Sequence, residues 1–130
     1  MLDQKYIIWM AIAGVIFALY VTLGAFGAHG LENKLTTSQS NTYQTALRYM
    51  VLHAIGLLLV NLSFGILDKW NNWVNWLFVG GMILFSLSLL IHACKDILGI
   101  SINVFALVAP LGGLSYIAGW VLYSITLLKK

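Results

Sequence analysis

The sequence predicts an all-α integral membrane protein, an antiparallel bundle of four transmembrane helices in a single membrane domain, residues 1–130. Three observations carry that prediction. Composition comes first: 61% of residues are hydrophobic and 8% charged, against about 25% charged in soluble domains. Charge placement comes second, because Tyr6 to His29, Tyr49 to Leu67, Trp70 to Ala93 and Ile97 to Leu128 contain no Asp, Glu, Lys or Arg. Each run is close to or longer than the ~18 to 20 residues that cross a ~30 Å hydrocarbon core. The third is that all five tryptophans fall on one side of a four-span arrangement.

Taken in order, the helices are expected at about residues 6–28, 42–67, 73–93 and 104–128. Met1 to Lys5 before an apolar stretch looks like a signal peptide, but the uninterrupted run exceeds the ~7 to 15 residues of such a segment. It reads as a retained first helix. The loop GLENKLTTSQSN is long and polar, with Asn41 or Thr42 as the N-cap of the second helix. DKWNN is short enough to force an antiparallel hairpin, and CKDILGISIN is intermediate. Pro110 lies near the start of the fourth helix, where its missing N–H predicts an irregular segment from Asn103 to Ala109.

An even number of spans puts both termini and the DKWNN hairpin on one side, here the terminal face, and the other two loops on the loop face. Lys5, Lys69, Lys129 and Lys130 on the terminal face stand against Lys34, Lys95 and Arg48. That excess favours cytoplasmic termini in a bacterial plasma membrane. Trp9, Trp70, Trp73, Trp76 and Trp120 all map to the terminal face as expected headgroup-level anchors, an independent check on the span count.

Several function classes are excluded. Cys94 is the only cysteine, so no intramolecular disulfide or paired-thiol chemistry is available. The net charge of +3 is scattered along the loops and argues against nucleic acid, while fitting anionic lipid. Asp3, Glu32, Asp68 and Asp96 lie outside or at the edges of the spans, which leaves no embedded carboxylate for proton-coupled export. No nucleophile motif, phosphate loop or HExxH occurs. The expectation is therefore no catalytic residue, no metal, no cofactor and no enzyme.

The polar residues inside the spans gather at the loop-face end. His29 ends the first helix, His92 ends the third, and His53 lies in the loop-face half of the second. Arg48 reads either as a side chain snorkelling to headgroups or as an anchor for an anionic group. His29, Arg48, Tyr49, His53, Ser88, His92 and Pro110 are the candidate pocket. The three histidines lack close ligand spacing, so a shared metal or a bridging haem is disfavoured. Small residues mark packing seams: Gly24, Gly27 and Ala28 on the first helix, Gly81 on the third, and Gly112, Gly113, Ser115 and Gly119 on the fourth. On the third helix Gly81, Phe85, Ser88 and His92 fall on one face at helical spacing.

Four stretches also carry a resemblance. GAFGAHGL at Gly24 to Leu31, TALRYMVLHAIGLLL at Thr45 to Leu59, GGMILFSLSLL at Gly80 to Leu90 and APLGGLSYIAGW at Ala109 to Trp120 together resemble the YgdD/YwdK-like small bacterial membrane proteins, which have animal relatives. The resemblance spans nearly the whole chain and implies a four-helix membrane fold with no assigned activity. It departs at Leu87, where the family has glycine, and at Leu90, where it has tyrosine, both making the third helix more apolar. The functional expectation is a non-enzymatic membrane protein acting through packing with lipid, other membrane proteins or a second copy of itself. The alternative is binding or transport of a small ligand, headgroup or ion at the loop-face pocket.

Overall fold

The computed structural model describes residues 1–100 and 104–129; Asn103 and Lys130 lie outside them. Four helical segments are long and apolar enough to cross a membrane: Gln4–Gly30, Thr37–Ile66, Asn72–Ala93 and Leu107–Leu128. The protein is an all-α membrane bundle, and among the described residues there is no strand.

Helix α1 (Gln4–Ala25) starts at Asp3, whose carboxylate accepts from the Lys5 backbone N–H at 3.4 Å. It runs into a single wide π turn, Phe26–Gly30. Helix α2 (Thr37–Ile66) begins five residues before the position expected from Thr42. The reason is a capping box: Gln39 N–H donates to Thr36 Oγ1 at 3.2 Å, and Thr36 N–H donates to Gln39 Oε1 at 2.9 Å. Asn41 and Thr42 are thus helix-interior residues, because two satisfied backbone donors outweigh the lack of apolar residues in those first turns.

The third span is not one regular helix. Helix α3 (Asn72–Gly81) is capped by the Asn71 side chain, widens into a π segment, Met82–Leu87, and continues as α4 (Ser88–Ala93). The extra residue per wide turn rotates the rest of the span about its axis. The buried face runs through Gly81, Met82, Ser86, Ser88, Leu90 and Ala93. Of the expected stripe, Gly81 and Ser88 are buried and Phe85 and His92 partly so, and the π segment adds Met82, Ser86, Leu90 and Ala93 to the buried face. A short helix α5 (Lys95–Leu98) ends at Gly99, which has a left-handed φ of 65°. Helix α6 (Val104–Leu128) contains Pro110 in its interior. The irregular segment expected there is absent from Val104 to Ala109, and the exposed Pro110 ring faces outward from the bundle.

The helices pack α1 on α2, α3 and its π segment on α6, and α2 on α4. One apolar cluster (Tyr6, Trp9, Leu57, Phe64, Val74 and Phe78 among its members) fills the terminal half. Another, built around Tyr43, Leu47, Met50 and Leu90, fills the loop half. Ala54, Met82 and Tyr116 join them at mid-depth.

Candidate functional site at the centre and loop-face end

The polar centre of the bundle is His53, 6% exposed, near the middle of α2. Its ring stacks on Tyr116 of α6 with centroids 3.4 Å apart. Nδ1 lies 2.9 Å from the Tyr49 carbonyl, and Trp120 Nε1–H donates to Nε2 at 3.2 Å. Only the neutral imidazole with its proton on Nδ1 satisfies both bonds. No lone pair is left for a metal. Around this ring Tyr49 packs on Phe85 at 4.6 Å, Phe78 packs on Trp120 at 4.8 Å, and Ser86 Oγ lies 3.3 Å from the Tyr116 hydroxyl. The arrangement ties α2, α3 with its π segment, and α6 together in the low-dielectric interior, where an unpaired polar group is costly.

Glycine positions let these rings in. A Cβ on Gly81 would stand 2.5 Å from the Tyr116 ring, and one on Gly119 would stand 2.7 Å from Phe78. Gly56, on the other side of Phe78, would meet Trp120 at 2.9 Å and Phe78 at 3.2 Å. A Cβ on Gly112 would run into the backbone of Phe85, a close main-chain approach between α6 and the third span. Ser115 Oγ donates to the Leu77 carbonyl at 2.7 Å, a direct bond from α6 to α3. At Gly27 a Cβ would lie 2.5 Å from the Tyr43 ring, whose hydroxyl donates to the Leu23 carbonyl at 2.6 Å. That contact fastens the π turn of the first span to α2.

Three expected seam positions do not pack. A Cβ on Gly24 would meet nothing within 4 Å, Ala28 is exposed, and a Cβ on Gly113 would make only an ordinary contact with Phe85 at 3.9 Å. The wide turn at Phe26–Gly30 brings Gly27 towards α2 and turns its neighbours outward.

The expected pocket does not assemble as one site. His29 is exposed on the π turn, and Arg48 and Pro110 are exposed on their helices. Ser88 Oγ bonds the Leu84 and Phe85 carbonyls of its own span at 2.6 and 2.9 Å. His92 is partly buried, and its Nδ1 has no partner among the described residues. Only Tyr49 and His53 come together. Among the described residues no three His, Cys, Asp or Glu side chains are grouped as metal ligands.

The tryptophans divide as well. Trp73 and Trp76 are 71% and 56% exposed at the terminal face, and Trp70 packs edge-on to Tyr6. Trp9 is buried against Trp76, and Trp120, still 39% exposed, tilts towards the loop face and donates its Nε1–H to His53.

Sequence reasoning missed the buried pair Asn61 and Asn75, which exchange amide hydrogen bonds at 2.7 and 3.3 Å between α2 and α3. Both are 0% exposed. Two carboxamides inside predicted spans were the available signal.

Three grooves indent the outer surface. Two apolar ones, of 310 and 300 Å³, share Leu23, Leu87 and Leu90 and lie between the first and third spans; the second reaches Cys94. Burial pushes the Cys94 thiol above its ordinary pKa. The third, 540 Å³, is lined by Thr37, Ser38, Asn41, Thr42, Thr45 and Leu89 at the loop-face end of α2.

Residues 23–113 match the model of a family described as protein of unknown function (DUF423). The chain belongs to this family. Relatives of the chain include the UPF0382 membrane protein YwdK of Bacillus subtilis, 36% identical over 124 residues, which cover 91% of this chain and 94% of the relative. A UPF0382 membrane protein of Staphylococcus saprophyticus is 38% identical, and one of Staphylococcus haemolyticus 37%, each over 84% of this chain and 87% and 85% of the relative. No solved structure matches the chain. The DUF423 match begins at Leu23 and ends at Gly113, so it covers the π turn and His53 but stops short of Tyr116 and Trp120.

Proposed function

We propose that this protein is a non-catalytic scaffold of the bacterial plasma membrane that works through packing with lipid. The observation that carries the reading is the internal use of the buried polar groups at the bundle centre. Both nitrogens of His53, the two amides of Asn61 and Asn75, and the hydroxyls of Ser86 and Ser88 are engaged within the bundle. A catalytic site needs polar groups left available to a substrate. The outer surface instead offers an apolar groove between the first and third spans, and at that depth the surrounding molecules are acyl chains.

Native mass spectrometry of the protein released from membranes tests this. The expected result is a retained lipid whose occupancy falls when Ile83→Trp fills the groove, with the bundle still assembled. Lipid-free protein with a substrate-dependent activity would overturn the reading; a tightly held partner protein or second copy would replace lipid as the packing partner. The termini are placed in the cytoplasm on the balance of Lys5, Lys69, Lys129 and Lys130 against Lys34, Arg48 and Lys95. Terminal reporter fusions active only outside the cytoplasm should stay silent, and an active fusion would reverse the orientation.

A further inference from the structure

We infer that the loop-face end of α2 is a recessed site for the phosphate of an anionic phospholipid, with Arg48 as its cation. The inference deepens the lipid-packing reading and rests on it. Helix α2 has 30 residues, so it is ~45 Å long against a ~30 Å hydrocarbon core. With His53 near its middle, the first two turns from Thr37 stand at headgroup level. Arg48 lies five residues before His53, ~7.5 Å off the mid-plane and inside the hydrocarbon.

Arg48 is exposed and makes no ion pair among the described residues. Arg48 is not itself a lining residue of the polar groove, but the groove lies on its N-terminal side, the direction in which helical side chains tilt and snorkel. Thr45, the innermost polar residue lining that groove, is one turn away from Arg48 on the same helical stripe. Thr42 and Thr45 donate their hydroxyls to the Ser38 and Asn41 carbonyls at 3.0 and 2.9 Å. The Asn41 amide and the Ser38 hydroxyl are left as donors facing the groove. A forked guanidinium with a carboxamide and a hydroxyl above it suits a phosphodiester. A free anion would have to shed its water to reach that depth, whereas a lipid phosphate arrives with its chains already in hydrocarbon.

The test is native mass spectrometry of the full-length protein, equilibrated with equal phosphatidylglycerol and phosphatidylcholine. Both headgroups carry the phosphodiester, but in phosphatidylcholine its charge is already countered by the choline ammonium, so the expected wild-type preference for phosphatidylglycerol is about tenfold. Arg48→Gln should bring the ratio to about one with total bound lipid unchanged; Arg48→Lys should keep part of it, since lysine retains the charge and loses the fork. Asn41→Ala, at an exposed position, should lower the ratio without affecting the fold, which circular dichroism checks. A wild-type ratio of one, or a ratio that survives Arg48→Gln, overturns the inference while leaving the packing reading standing. Displacement of phosphatidylglycerol by millimolar inorganic phosphate also overturns it, in favour of a free-anion site. Failure to retain either lipid overturns both.

Discussion

His53 is held by a carbonyl on one side, an indole N–H on the other and a tyrosine ring across its face. Each contact comes from a residue whose role a lone histidine could not announce. Removing it by His53→Ala leaves the Trp120 N–H without an acceptor and opens a cavity, so we expect a loss of about 2 to 4 kcal/mol in a reversible unfolding measurement in micelles. Trp120→Phe keeps the ring and removes the donor, and should cost less, about 1 to 2 kcal/mol. Equal costs would mean that the hydrogen bond contributes nothing. Cys94 offers a second measurement at this scale. Burial raises its thiol pKa, so the reactive thiolate is scarcer at a given pH than in the unfolded chain. Maleimide labelling should therefore be slower in the folded protein, and the gap should close as pH rises past the raised value. A folded-state rate matching that of the denatured protein would contradict it.

Between helices, the seams are set by a few glycines and by paired amides. Gly112→Ala drives a methyl into the Phe85 backbone, which cannot swing aside like the end of a side chain. A cost of about 1 to 3 kcal/mol is expected. Gly24→Ala meets open space, and should be neutral or stabilise by about 0.5 to 1 kcal/mol through backbone entropy. If the two substitutions behave alike, the seam geometry is wrong. For Asn61 and Asn75, either single change to Leu strands the partner amide in the core, at about 1 to 3 kcal/mol. The double change should cost less than the two singles together, and a double-mutant cycle measures that difference. How far these elements were legible in the sequence divides the same way. The span lengths, the DKWNN hairpin and the small-residue seams of α6 come from local pattern. The two π segments come from how α1 and the third span meet their neighbours, and the one at Met82–Leu87 buries Ser86 beside the partly buried Phe85.

For the molecule as a whole, hydrophobicity decides insertion and packing decides assembly, because lipid tails are as apolar as the side chains they surround. Phe78 is fully buried between Gly56 and Gly119, whereas Leu114 is 62% exposed on the outside of α6. Phe78→Ala should therefore cost about 3 to 5 kcal/mol in micelles, and Leu114→Ala close to nothing, although both delete apolar atoms. A comparable cost at the two sites would mean that exchange with lipid, rather than packing, sets stability.

The sequence by itself determined the membrane class, the number of spans and which loops share a side, because these depend on composition and charge placement that no neighbouring helix can alter, and its four motifs carried the family resemblance. Only the tertiary structure decided which polar groups meet. His29, Arg48, His92 and Pro110 share a membrane half with His53 yet stay apart from it, since depth along a helix is readable from residue number while rotation about it is not. Wide turns, inward-tilting side chains and glycine-sized gaps set that rotation. They made the histidine centre a joint, with Tyr116 and Trp120 as its other half, and left the polar groove below Thr37 to a different set of residues.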